Sequence, residues 1–255
     1  YKIVEKIFKH EGAPESWLGS LLVWVMLGTI IGARLGHVFF YEWDQYSQNP
    51  IEIFKVWEGG LASHGGTIGV MIAVILYSRF TTKRNPLWTF DRLAVAVAMV
   101  AGLIRLGNLF NHEIFGHATD VPWAFCFIDN IRAWQAGAEP IFTAPSHPTQ
   151  LYEAFCYFAL FGLLMWMYWK KNAQERQGLL LGIFFVWVFG SRFLIEFVKN
   201  NQVAWEETMT LNMGQWLSIP FVLIGIALII YAMKRPRVAL EYPNKFPDES
   251  KKRKK

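Results

Sequence analysis

An all-α polytopic membrane fold is predicted by three observations on the sequence. Hydrophobic residues make up 53% of it and charged residues 18%, the apolar residues are gathered into long runs, and the basic residues alternate between the connections that join those runs. A run of roughly 17–25 apolar residues is the length at which a helix crosses the hydrocarbon core of a bilayer. Six windows reach it: 17–41, 61–80, 88–104, 151–169, 178–198 and 211–233. Six transmembrane helices are therefore expected in this chain.

Lysine and arginine collect on the cytoplasmic faces of membrane proteins. Lys2, Lys6 and Lys9 precede the first run, Arg79, Lys83 and Arg84 follow the second, and Lys170, Lys171 and Arg176 follow the fourth. Lys234, Arg235, Arg237, Lys245 and the basic end 251–255 follow the sixth. Those faces are predicted inside, and the acidic to neutral connections 42–60, 105–150 and 199–210 outside. The chain thus divides into a cytoplasmic lead-in (1–16), a transmembrane region (17–233) with an outer cap at 117–149, and a solvated basic tail (234–255). The net charge of +5 is then a topology signal with some attraction to anionic lipid heads, and no nucleic-acid partner is called for. Two cysteines, Cys126 and Cys156, suggest neither a disulfide framework nor a cysteine metal site.

Taken in order, the first run carries Gly28, Gly32 and Gly36 at four-residue spacing, a face bare of side chains on which another helix can lie close. Toward its outer end Arg34, His37 and Tyr41 share a face through steps of three and four. An arginine inside a span is costly and turns to the bundle interior or to water, so Arg34 reads either as a structural or lipid-anchoring residue or as part of the chemistry. Ahead of the second run, Ser63-His64-Gly65-Gly66 sets a histidine at the membrane edge, either a satisfied interfacial residue or a catalyst. The adjoining glycines, without Cβ, would let a ligand or a neighbouring strand come close to the imidazole.

Behind the third run comes 105–116, Arg-Leu-Gly-Asn-Leu-Phe-Asn-His-Glu-Ile-Phe-Gly. Its polar groups would hang over the lipid surface, where an arginine can fork onto a phosphate. The following cap, rich in Trp, Phe and Pro, reads as small and irregular or β-containing, with its aromatics packed at the interface. It ends in Ser146-His147-Pro148-Thr149-Gln150-Leu151-Tyr152-Glu153, where the proline suits a helix start and Glu153 would need an arginine partner in lipid. Arg192 and Glu196 stand one turn apart on the fifth run, either as a self-satisfied ion pair or as part of a site. The opening of the sixth run, Asn-Met-Gly-Gln-Trp-Leu-Ser-Ile-Pro at 212–220, reads as architectural.

All the costly polar groups fall at the outer ends of their runs and can share one site. Two arginines with a histidine suit a reaction in which a phosphate monoester leaves while a nucleophile is deprotonated, and no metal is required for it. The stretch 105–116 resembles the signature of the bacterial prolipoprotein diacylglyceryl transferases, Gly-Arg-x-Gly-Asn-Phe-x-Asn-x-Glu-x-x-Gly, through Arg105, Gly107, Asn108, Asn111, Glu113 and Gly116. Ile104 stands where the family usually has glycine, and the aromatic is displaced in Leu109-Phe110. His64-Gly65-Gly66, the 147–153 segment with Thr149 for the family's serine, Arg192 with Glu196, and 213–220 are similar to further motifs of the same family.

The resemblance implies transfer of the diacylglyceryl group of phosphatidylglycerol to the lipobox cysteine of a preprolipoprotein signal peptide, with a thioether formed and glycerol phosphate released. It implies a bacterial inner-membrane enzyme with a periplasmic active site and a cytoplasmic C-terminus, no cofactor and no metal. It also implies seven spans in the full protein, the first of them preceding Tyr1. His64, Arg105 and Arg192 would be catalytic, with His64 the base for the thiol unless the arginine field acidifies it. Arg105, Asn108, Asn111, Glu113, Gly116, His147, Tyr152, Glu153, Glu196 and Arg34 would bind substrate. A metalloprotease reading of His112, Glu113 and His117 fails on spacing, since zincin histidines stand four apart on one helix face. A transporter or binding protein for an anionic lipid or solute would also place arginines in a bundle, but neither repeats nor interrupted spans are evident.

Overall fold

The computed structural model describes residues 1–200 and 210–238. Among the described residues six helices are long and apolar enough to cross a membrane: Glu15–Phe40, Ser63–Thr82, Pro86–Phe110, Thr149–Lys171, Leu179–Val198 and Met213–Lys234. Most of the outer connection 199–210 falls outside the described residues, and so does the tail from 239 onward, where a solvated segment is expected. The chain folds as two compact units, 1–90 and 91–238.

In the first unit the lead-in is itself a helix, α1 (Lys2–Glu11), which buries Val4, Ile7 and Phe8 and sets Phe8 against Trp88 with the rings tilted and their centres 5.4 Å apart. On its polar face Lys9 and Lys2 both hydrogen-bond Glu5 and hold its carboxyl below the usual carboxylate range. Gly12 ends the helix in the left-handed region (φ 72°), as such caps favour. The first long helix, α2 (Glu15–Phe40), packs on α4 (Ser63–Tyr77), which continues as a π-helical turn through Ser78–Thr82.

The glycine face of α2 meets a second glycine face. A Cβ on Gly32 would lie 2.5 Å from the Gly65 carbonyl oxygen, one on Gly36 2.6 Å from Gly65 Cα, and one on Gly28 2.5 Å from Ala73 Cβ. Gly65 is thereby committed to helix packing, with a neighbouring helix as the element that comes close beside His64. At the far end of this pair the Tyr77 hydroxyl donates to the Trp17 carbonyl (3.0 Å), and Arg84 lies over Trp17 and Trp88. The connection between α2 and α4 holds a short helix, α3 (Trp43–Gln48), and 3₁₀ turns at Pro50–Phe54 and Val56–Glu58.

The second unit is built on α5 (Pro86–Phe110, from Asp91 on), α7 (Thr149–Lys171), α8 (Leu179–Ile195) and α9 (Met213–Lys234). Gly102 receives the ring of Phe158, and Gly182 meets Gly225 where α8 and α9 approach. Phe189 stacks on Phe221 at 4.4 Å. At one end Asp91, fully buried, accepts from the N–H groups of Gly178 (2.7 Å) and Leu181 (2.9 Å). A carboxylate from one helix thus caps the N-terminus of another, where the helix dipole favours negative charge. Arg176 at the same end donates to the Ala232 and Met233 carbonyls, so Lys170, Lys171 and Lys234 gather there with it. At the opposite end lie the C-terminus of α5, the N-terminus of α7, the C-terminus of α8 and the N-terminus of α9.

One expectation needs revision. Helix α5 runs on to Phe110 instead of ending at Ile104, which places Arg105 and Asn108 on its last turns and not in a loop. The cap carries a short helix, α6 (Ile131–Gln135), and isolated antiparallel bridges at Ala118–Ser146, Phe125–Ser146 and Ile128–Phe142; among the described residues it has no strand.

Candidate active site

At that second end of the second unit, α5, α7 and the end of α8 with the turn after it deliver charge to one place. Glu153, on the first turns of α7 and fully buried, has its Oε2 3.0 Å from Arg105 Nε. This is the arginine partner that a carboxylate at such depth requires. Its other oxygen lies 3.6 Å from the ammonium of Lys199, which in turn stands 3.7 Å from Glu196 Oε2. Glu196 completes the series with Arg192 Nε at 3.9 Å. A Cβ on Gly214 would sit 2.6 Å from the Glu196 carboxyl carbon, so this glycine lets the carboxylate lie against the first turn of α9, another N-terminus that favours it. Asn212 and Gln215 close that terminus as a reciprocal capping box.

The series reads Arg105, Glu153, Lys199, Glu196, Arg192: three cations and two carboxylates. Its middle is buried, with side-chain exposures of 0% for Glu153, 2% for Lys199 and 6% for Glu196, while its ends remain open at 17% for Arg105 and 34% for Arg192. Tyr157 on α7 interacts electrostatically with Glu153 and with both arginines.

Helix α5 carries the series outward. Arg105 Nη1 donates to Asn108 Oδ1 (3.3 Å), and Asn108 Nδ2 donates to Glu113 Oε1 (2.7 Å), which also accepts from Asn111 Nδ2 (3.3 Å). Asparagine suits the link because it accepts and donates at once. The turn beyond is held by α7: Gln150 donates to the Glu113 carbonyl (2.7 Å) and Thr149 to the Ile114 carbonyl (2.9 Å). Gly116 bridges to Lys199, and a Cβ there would come within 2.9 Å of His147 Cβ. These close contacts are ones that only a residue without Cβ allows. His112 holds the cap, its Nδ1 accepting from the Ile128 N–H (3.0 Å). His147 Nδ1 lies 3.1 Å from the Tyr152 hydroxyl, which accepts from Trp123 Nε1 (2.8 Å).

The first unit carries the other two expected groups. Arg34, 3% exposed, donates from Nε to the Ile53 carbonyl (2.9 Å), from Nη1 to the Gly59 carbonyl (2.7 Å) and from Nη2 to the Glu52 carbonyl. Its guanidinium also lies 4.9 Å over the Tyr46 ring. Those bonds clamp the 42–60 connection onto α2, so the structure favours the structural alternative for Arg34 over substrate contact. His64 is exposed on the first turn of α4, between the rings of Phe40 (5.4 Å) and Tyr41 (5.6 Å). It lines a cavity of about 520 Å³ with His37, Tyr41, Glu42 and Ser63. His37 Nε2 in that cavity pairs with Glu42 at 3.2 Å. An apolar groove of about 560 Å³ along Thr29, Ala33, Gly66, Val70 and Met71 adjoins it through the shared residues Leu61, Ala62 and Ser63.

Sequence reasoning missed Lys199, Trp123 and Asp91. The signal for Lys199 was its place three residues after Glu196, one helical turn on, but it was assigned to a neutral outer connection.

The prolipoprotein diacylglyceryl transferase family model matches residues 1–231. The chain is 53% identical over 239 residues to a phosphatidylglycerol–prolipoprotein diacylglyceryl transferase of Porphyromonas gingivalis, covering 92% of this chain and 84% of that protein. Relatives of the same name in Chloroherpeton thalassium (47% identical, 92% and 84% covered) and Tolumonas auensis (44%, 92% and 86%) are similarly close. With the family model matching nearly the whole described chain, and relatives this similar along most of their own length, the chain belongs to the prolipoprotein diacylglyceryl transferase family.

Proposed function

We propose that this chain transfers the diacylglyceryl group of phosphatidylglycerol to the lipobox cysteine thiol of a preprolipoprotein signal peptide, at the periplasmic face of a bacterial inner membrane. The observation that carries the site reading is the charge series in the second unit, with one cation in surplus and an arginine open at each end. A phosphodiester bears one negative charge, which that surplus matches, and guanidinium groups bind phosphate oxygens in a planar fork.

In the reaction the thiol sulfur attacks the glyceryl carbon that carries the phosphate. The carbon–oxygen bond breaks, and its electron pair leaves with glycerol phosphate. The phosphate gains a second negative charge as it leaves, so Arg105 and Arg192 would hold the transition state more strongly than the bound lipid. A free thiol has a pKa of about 8.5, so a base or a cationic field is needed to make the nucleophile: His64 is the candidate base, and acidification of the thiol by the arginines is the alternative. Asn108, Asn111 and Glu113 orient Arg105 and meet the head group, and His147 with Tyr152 lines the same end. Incubation of the purified chain with phosphatidylglycerol and a lipobox peptide tests the reading by mass spectrometry. The expected product is a peptide heavier by one diacylglyceryl group, with glycerol phosphate released in equal amount; unmodified peptide would refute it.

A further inference from the structure

We infer that Lys199 is a positioning residue of this site, which by bridging Glu153 and Glu196 keeps Arg105 and Arg192 one positive charge in surplus and thereby sets the affinity for the lipid phosphate. The inference rests on the reading of those two arginines as phosphate ligands. Lys199 itself, 2% exposed, has no open surface for a ligand, so it can act only through its neighbours. An ammonium at that depth is tolerated when it is paired, and at 3.6 and 3.7 Å it is shared about equally between two carboxylates.

The backbone delivers it there. The Lys199 N–H donates to the Glu196 carbonyl (3.3 Å) and the His117 N–H to the Val198 carbonyl (2.9 Å), while Asn200 Nδ2 donates to the Gly116 carbonyl (3.0 Å). The turn of the signature stretch therefore fixes where the ammonium sits. Around the two carboxylates stand Arg105 from α5, Tyr157 from α7, Arg192 from α8 and the N-terminus of α9 at Gly214. Glu113, exposed, lies one step outward beyond Asn108. Without Lys199 the remaining two arginines and two carboxylates balance, and each guanidinium is held inward by a carboxylate that no longer has a second cation.

The test is transfer kinetics of the full chain with phosphatidylglycerol vesicles and a lipobox peptide, alongside thermal unfolding. Lys199→Met is expected to raise KM for phosphatidylglycerol about tenfold or more while kcat changes less. Lys199→Met combined with Glu196→Gln restores the surplus of one cation, and KM is expected to return most of the way; a packing role for Lys199 predicts no such recovery. A folded Lys199→Met protein with wild-type KM overturns the inference, as does a double variant no better than the single. Should Lys199→Met fail to fold, the double variant decides, since its neutral pair leaves no unpaired buried charge: a near wild-type KM supports the inference and a KM raised tenfold overturns it. Absence of lipidation by the unmodified chain would instead sink the proposed reaction, whereas normal lipidation with an unaffected Lys199→Met protein sinks only the role of Lys199.

Discussion

Arg105 and Arg192 occupy opposite ends of one charge series but are held differently, and substitution should separate the two. Arg105 makes a 3.0 Å contact to buried Glu153 through Nε and a hydrogen bond to Asn108 through Nη1. A lysine ammonium, being a point charge, cannot keep both. Arg192 has the loose 3.9 Å contact to Glu196, so Arg192→Lys should leave the fold intact and remove chiefly the fork available to the phosphate. We expect either lysine variant to lower kcat/KM for transfer by about a hundredfold or more, with the unfolding temperature of Arg192→Lys close to that of the parent. Glu196→Gln should do the reverse in stability, because it takes one of two carboxylates from buried Lys199. Normal transfer by folded Arg105→Ala and Arg192→Ala proteins would show that the phosphate lies elsewhere.

Among the elements, the apolar runs were legible to within a few residues because a membrane helix declares itself by length and composition. The partners of each face were not, since contact between helices is not local in sequence. Thus the stripe Gly28, Gly32 and Gly36 announces a close helix approach, but nothing local in the sequence says that Gly65, beside His64, is the glycine it receives. Helix α5 overran its apolar run for a related reason: backbone hydrogen bonding continues through Leu106, Leu109 and Phe110 whether or not Arg105 and Asn108 are apolar. Asp91 stands near the start of a span, and only the arrival of the α8 N-terminus, not local in sequence, gives its carboxylate partners. The tightest of these contacts makes a clean test. Gly32→Val would drive carbon into the Gly65 carbonyl, 2.5 Å from the first atom added, and overpacking of this kind costs about 1–3 kcal/mol. Gly19→Ala, on the same helix with nothing within 4 Å of the new Cβ, should leave thermal unfolding unchanged while Gly32→Val lowers it by several degrees; equal midpoints would show that the α2–α4 approach is looser than described.

For the whole molecule, the decisive asymmetry lies between the two ends of the second unit. One end gathers Lys170, Lys171, Arg176 and Lys234 around the capped start of α8, and the other gathers the charge series that begins at Arg105. The sequence pattern and the helix packing agree on this separation, because alternating connections of opposite character must lie on opposite sides once each run crosses the bilayer. The basic end is therefore expected in the cytoplasm, with the arginines facing the periplasm, where a secreted peptide and outer-leaflet lipid would meet. Single cysteines in a chain freed of Cys126 and Cys156 test the arrangement. Gln135→Cys, exposed on α6, should react with a membrane-impermeant thiol reagent in cells whose outer membrane alone has been opened. Lys171→Cys, exposed at the end of α7, should react only after the inner membrane is breached. The reverse labelling would place the arginines on the cytoplasmic side, and a thiol presented from the periplasm could not reach them.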